Sequence, residues 1–409
     1  MDSPSVEEHS FVREVRERWQ SEGKLFWLKE DELGIFDAVT AQRVNAANYE
    51  NLTMPDRLVD VIRRKSSKPV SWQQLRAAWT SRLGTLANSE GIRQLALRMA
   101  ARFDAEVSRR QDLPWLIQNV CSQALVPFVV AGLDGRAERA ILRDQQYKLL
   151  RLTSLKLPPN WSELRSMARQ VGAGLVVRRE LRGRARGHRP RRNDLADPIV
   201  DMLPDLGMDR AMHAVTAVFT AIAGPPGAAA GCLLYELTRQ HEWRARLEAE
   251  LASIPPDELY KSPARSAPVT TRFVKETLRV WSPPLFLTRP VRTDLQVDGV
   301  SLRKGQRYLL SPYLVHHNAG YWSDPELFDP DRWLPDRSRG PCPHASYVAF
   351  GWAPTSCIGA GLGLAQLILL AHLMCTRYRI ELAEPERVRM ALAAIAIPQS
   401  FVGNIVPRH

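Results

Sequence analysis

The stretch Phe350-Gly351-Trp352-Ala353-Pro354-Thr355-Ser356-Cys357-Ile358-Gly359 sets a cysteine at the end of a loop shaped by glycine and proline. An apolar segment of helical length, Gly359 to Tyr378, follows at once. Amides at a helix N-terminus have no partner inside the helix, so they point at the sulfur and favour its thiolate. A thiolate held in this way can act as an axial ligand to a haem iron. A lone cysteine before a helix can equally be structural, so the reading depends on what accompanies it.

Two features upstream accompany it. Glu276-Thr277-Leu278-Arg279 places an acid and a base three residues apart, on one helix face. Phe328-Asp329-Pro330-Asp331-Arg332-Trp333 places an arginine in an irregular, proline-bearing segment. If Arg332 reaches Glu276 and Arg279, the three charges form one network, which buried ions require. In this order and spacing the chain resembles the cytochrome P-450 superfamily of haem-thiolate enzymes, from about Ala211 to the C-terminus. The resemblance implies that family's fold over residues 1–409 as one domain: mainly α with a smaller β region, a triangular prism with haem between a long distal helix and the helix after the cysteine. It also implies haem b (iron protoporphyrin IX) as cofactor and Cys357 as its ligand. Phe350, Gly351 and Gly359 would shape the haem-facing loop, and Arg289 would meet a haem propionate. Glu276, Arg279 and Arg332 would be structural, and Ala211 to Gln240 would be the distal helix.

Three departures from the family pattern bear on mechanism. Ala353 and Thr355 stand in the cysteine loop where the family usually has Gly and a cation. The early helix that normally supplies propionate contacts is not recognisable; Arg93 or Arg98 could substitute. The distal motif Ala-Gly-x-acid-Thr reads Ala223-Gly224-Pro225-Pro226-Gly227, and no Asp or Glu occurs between Arg210 and Glu236. Consecutive prolines remove two backbone donors and must kink the helix. The family's acid and alcohol deliver protons to iron-bound dioxygen, so four readings stay open. These are proton delivery by substrate or water; use of peroxide; dehydration, rearrangement or oxidative coupling without net oxygen insertion; and a non-catalytic haem-binding protein.

The resemblance also places a substrate pocket, at Val218, Phe219, Ile222, Ala223, Leu285, Phe286, Leu287, Ile397 and Phe401. These residues are apolar and suit a lipophilic small molecule. The implied activity is a monooxygenase-type oxidoreductase, bacterial and cytoplasmic, in secondary-metabolite or antibiotic biosynthesis. Its electrons would come from an acidic ferredoxin and its reductase, docking on a basic face near Cys357.

The rest of the chain sets bounds. Its 409 residues are 45% hydrophobic and 24% charged, ordinary globular values that exclude collagen, coiled coil and wholesale disorder. The formal charge is +12, and only nine of the 56 cationic residues are lysine, a usage that hints at a GC-rich genome. Eight arginines fall between Arg178 and Arg192 against one acid, Glu180; this run reads as a solvated loop, with a basic surface that docks an acidic protein partner left open. No aromatic interleaving or binding motif accompanies it, so nucleic acid is not expected as a partner. Cys121, Cys232, Cys342, Cys357 and Cys375 are odd in number and widely spaced, which excludes a disulfide framework and a zinc site. The opening MDSPSVEEHSFVREV lacks an apolar core, so no signal peptide is expected. Ala211 to Tyr235 carries no Asp, Glu, Lys or Arg, but its Gly224-Pro225-Pro226-Gly227 centre suits a buried helix better than a membrane span. Expected helices are Arg93–Arg109, Leu113–Leu133, Asn160–Leu181, Leu195–Leu203 and His241–Ile254. Short strands are expected over Val291–Leu310, with turns at Asp298-Gly299 and Lys304-Gly305, and again in the last thirty residues.

Overall fold

Two helices of the first half begin at a side-chain cap. The Asn88 side chain accepts the Gly91 amide at 2.8 Å and opens Ser89–Asp104, while Asp112 accepts that of Trp115 at 2.8 Å and opens Leu113–Val129. The structure is a computed structural model and describes residues 5–49, 71–153, 161–335 and 346–408. Asn160 and Cys342 lie outside the described residues. Ser89–Asp104 buries Ile92, Leu95, Ala96, Met99 and Phe103, the one-sided spacing of an amphipathic helix. Ala360–Thr376, after the cysteine loop, is apolar on most of its surface and lies in the core. It packs on Ser89–Asp104, His241–Ser253, Pro268–Trp281 and Pro225–Arg239.

The β portion is small and split. Leu25–Lys29, Glu32–Ile35, Arg307–Leu310 and Leu287–Pro290 form one sheet in that order, with the middle pair parallel. Leu295–Val297 and Val300–Leu302 form a hairpin whose turn residues Asp298 and Gly299 both have positive φ, 46° and 85°. Near the C-terminus Arg389–Leu392 lies between Val6–Glu8 and Ala396–Gln399, and Val402–Pro407 between Gln111–Asp112 and Tyr378–Leu382. The mainly helical class with a smaller β region is therefore as expected. The strands before residue 36 are not: that half of the chain reads as helical.

Two helical expectations are corrected. The arginine run is not all loop, because Trp161–Ala185 stays helical through its first half. The distal helix is not continuous. Leu203–Ala223 ends at Gly224, and Pro225–Arg239 restarts with proline in the first turn, where no amide is missed. Leu203–Arg239 is long and apolar enough to cross a membrane by composition, but 61% of its most apolar window is buried inside the protein.

Candidate functional site

Backbone geometry places Cys357. Gly351 closes a turn onto Val348 O at 2.8 Å with φ +78°, a conformation that favours glycine. The Cys357 amide then donates to Phe350 O at 2.7 Å, and Gly363 N to Gly359 O at 2.8 Å as the helix begins. A Cβ on Gly363 would stand 3.7 Å from the Phe350 ring. Among the described cysteines, Cys121, Cys232 and Cys375 are buried and Cys357 alone is exposed, on the wall of a cavity. Burial raises the Cys357 thiol above its ordinary pKa, opposed by the Gly359 amide and the Arg76 charge.

The cavity holds about 530 Å³ between the cysteine loop and the two distal helices. Phe350, Gly351, Cys357 and Gly359 line one side; Val218, Ala221, Ile222, Pro225, Pro226 and Ala229 line the other; Leu287 and Arg289 close an edge. No Asp, Glu or His belongs to this wall among the described residues. Its guanidinium groups are Arg76 and Arg289. Arg76 Nη2 donates to Ser356 O at 2.7 Å, and neither arginine pairs with a carboxylate among the described residues. Arg76 was not foreseen. It sits four residues after Trp72 on helix Trp72–Leu86, and both face the cavity. That i, i+4 pair of aromatic and cation was the legible signal. Arg93 instead pairs with Glu90 at the surface, and Arg98 stacks on Phe128 and donates to Ala124 O. Neither Arg93 nor Arg98 belongs to the cavity wall, whereas Arg76 does. Thr355, where a cation was missed, is held by the Asn45 side chain.

Part of the expected pocket is corrected. Phe219 and Ala223 are each 1% exposed and lie one position round the helix from the wall residues Val218 and Ile222. Leu285 is fully buried, Phe286 packs edge-on against Phe11, and Phe401 packs on Tyr235. Ile397 sits in a strand register opposite Ala391, off the cavity wall. Gly227 is also off the wall. An added Cβ there would stand 2.7 Å from Gln118 Cα, so the position assigned to the family's Thr faces another helix. Gln118, unforeseen, fills that space. Its Nε2 donates to Gly224 O at 3.1 Å and to Ala223 O, capping carbonyls at the helix break. The next acid along the helix, Glu236, accepts from Trp281 Nε1 and Gln240 Nε2, each at 2.9 Å.

The structure brings Glu276, Arg279 and Arg332 together, all fully buried. Glu276 Oε1 accepts from Arg279 Nη2 at 2.8 Å, Arg332 Nε at 2.9 Å and Asp329 N at 2.9 Å, and Oε2 from Arg279 Nε at 3.0 Å and Trp333 Nε1 at 3.1 Å. The two arginines also donate to the carbonyls of His316, Ser323, Asp324, Pro325 and Leu327. None of the three lines the cavity. His316 links this network to the cysteine loop. Its Nε2 accepts the Val348 amide at 2.9 Å, which leaves Nδ1 as donor toward Arg279 O and Ser282 Oγ. Burial and the Arg279 charge hold His316 well below its usual pKa, hence neutral.

Comparison with known proteins agrees with this geometry. The family model described as "Cytochrome P450" matches residues 144–401. Cytochrome P-450 4F12 of Homo sapiens is 33% identical over 162 residues, 38% of this chain and 31% of that protein. Pentalenene oxygenase of Streptomyces avermitilis is 32% identical over 192 residues, 44% of this chain and 41% of that one. The aligned parts thus span less than half the length of these relatives. A cyanobacterial member solved with retinoic acid bound shares the fold at TM-score 0.78, with 14% identity and full coverage of both chains. An open thiol, two uncompensated guanidinium groups and an apolar slot between them match the needs of a flat apolar macrocycle bearing two carboxylates. The chain belongs to the cytochrome P-450 family, whose cofactor is haem.

Proposed function

We propose that the chain is a haem-thiolate oxidoreductase acting on a lipophilic small molecule, with Cys357 as the iron ligand and Arg76 and Arg289 on the propionates. The observation that carries this reading is Cys357, alone of the described cysteines on the cavity wall, opposite an apolar wall and with two cationic side chains that no described carboxylate neutralises. When bound there, haem supplies redox chemistry at its iron. The chain's own residues do the rest. Phe350, Gly351 and Gly359 leave room beside the sulfur. Val218, Ile222, Pro225, Pro226 and Leu287 exclude water and select apolar substrates. Pro226 has no N–H to give the Ile222 carbonyl and Pro225 none for that of Ala221, so these oxygens can accept a hydrogen bond from a substrate hydroxyl or a water.

No described side chain of the wall is a carboxylic acid or imidazole, so a proton must enter on the substrate or on ordered water. The same observation favours a second reading, in which the reaction is a rearrangement, dehydration or coupling that needs no such delivery. A role in secondary metabolism is supported by the likeness to a protein named pentalenene oxygenase. Redox partners are general to the family; an acidic ferredoxin and a cytoplasmic setting are part of the proposal. The test is spectroscopic. The ferrous carbonyl complex of the haem-loaded protein should show the red-shifted thiolate band, and Cys357→Ala should lose it. An unchanged band in the variant sinks the assignment.

A further inference from the structure

The arginine run forms a second concave site, apart from the haem cavity. Leu175, Arg178, Arg179, Arg182, Gly183, Arg186, His188 and Arg189 enclose about 590 Å³ at the end of helix Trp161–Ala185. The neighbouring arginines have structural tasks. Arg184 is buried against Asp194 at 2.7 Å, and Arg191 pairs with Asp197 and Asp201. Among the described residues, Arg189 is the pocket arginine that has an ion-pair partner, Glu180. Among the described residues, Arg178, Arg179, Arg182 and Arg186 have no carboxylate at ion-pair distance. Asp134, the acid within electrostatic reach of Arg179 and Arg189, accepts the Arg136 and Ala137 amides at 2.9 Å each and caps its own helix. A helix C-terminus favours one or two cations, and Arg182 lies in the last turn. It does not account for four unpaired guanidinium groups converging on one hollow, where like charges repel.

We propose that this pocket binds a small ligand carrying two or more linked phosphate groups. Guanidinium forks match phosphate oxygens two at a time. A diphosphate concentrates several negative charges within the reach of adjacent arginines, whereas each carboxylate brings one. Leu175 in the pocket and Val171 one turn earlier are 58% and 60% exposed on the same helix face, so the ligand's organic part is apolar. The inference is independent of the haem reading, because no residue is shared with that cavity.

The test uses haem-loaded full-length protein and calorimetry with inorganic pyrophosphate at physiological salt, with orthophosphate as the comparison. Pyrophosphate should bind one per chain, at least tenfold tighter than orthophosphate. Arg182→Ser with Arg186→Ser should weaken it at least tenfold while the haem spectrum and melting temperature stay unchanged. Each single variant should give an intermediate affinity. Equal binding of the two anions, or pyrophosphate binding that the double variant leaves intact, overturns the proposal. So does capture by polyglutamate or by phosphatidylglycerol vesicles that pyrophosphate fails to displace, which would assign the surface to an acidic protein or to a lipid bilayer.

Discussion

Gly227 and Gln118 show how one residue's identity can depend on another element's backbone. The missing side chain at 227 lets the Gln118 backbone approach to within 2.7 Å of where a Cβ would stand. A backbone atom cannot swing aside, so Gly227→Ala must push two helices apart. Overpacking of this kind costs about 1–3 kcal/mol, and the melting temperature should fall accordingly. Gly227→Thr should be worse, so an attempt to restore an alcohol at that position would unfold the roof before it tested proton delivery. A melting temperature equal to wild type for Gly227→Ala would show that the helices are not in contact there. Arg76 and Arg289 allow a second prediction. Arg76 also holds Ser356 O, next to the cysteine, whereas Arg289 has no such second task. Hydrogen bonds to charged groups contribute about 1.5–3 kcal/mol. Arg76→Ala should therefore purify with less haem per chain than Arg289→Ala, measured as the ratio of haem to protein absorbance. The reverse order would remove Arg76 from the assignment.

Among the elements, the helix Pro268–Trp281 carries the clearest expectation. Glu276 bridges two arginines on different segments, so removing Arg279 leaves a buried carboxylate short of a partner and frees the carbonyls of His316 and Pro325. Breaking a buried pair costs roughly 3–5 kcal/mol. Arg279→Ala should express poorly or lack haem, and a fully loaded variant with an unchanged melting temperature would refute the network's role. This network was legible in sequence because the charges are chemically obliged to find one another. The cysteine loop was legible for a related reason: glycine, proline and a following apolar helix leave few other conformations. Helix phase was less so. Phe219 and Ala223 differ by one position, about 100° of rotation, from the wall residues Val218 and Ile222, and apolar composition alone does not separate the cavity face from the core face. The break at Gly224 was legible in two prolines as a kink, but its cap was not, because Gln118 arrives from a distant helix.

Across the whole molecule, the part least visible in sequence is the N-terminal segment, where Leu25–Lys29 pairs with Glu32–Ile35 and the latter joins the sheet through Arg307–Leu310, far along the chain. Its junction with the rest concentrates on Asp37. The Asp37 carboxylate accepts the Thr40 amide at 2.9 Å and opens the helix Ala38–Tyr49, which in turn delivers Asn45 to the cysteine loop. It also accepts from the Tyr321 hydroxyl and from Lys24 Nζ at 3.2 Å. Burial alone would raise its pKa. The Tyr321, Thr40 and Lys24 contacts outweigh burial and bring it down to about 2, from an ordinary 3.8. A folded-state pKa below the unfolded one means the folded state prefers the ionised form. The stabilisation is complete above the ordinary pKa and is lost as pH falls from there through the folded value. The shift corresponds to at most about 2 kcal/mol, which solvent screening of this part-buried group reduces. Asp37→Asn should therefore lower stability near pH 7 and show a shallower loss between about pH 4 and pH 2 than wild type. Urea titrations at several pH values measure both effects. Parallel acid profiles for the two proteins would mean that Asp37 does not join the N-terminal segment to the body in the way described.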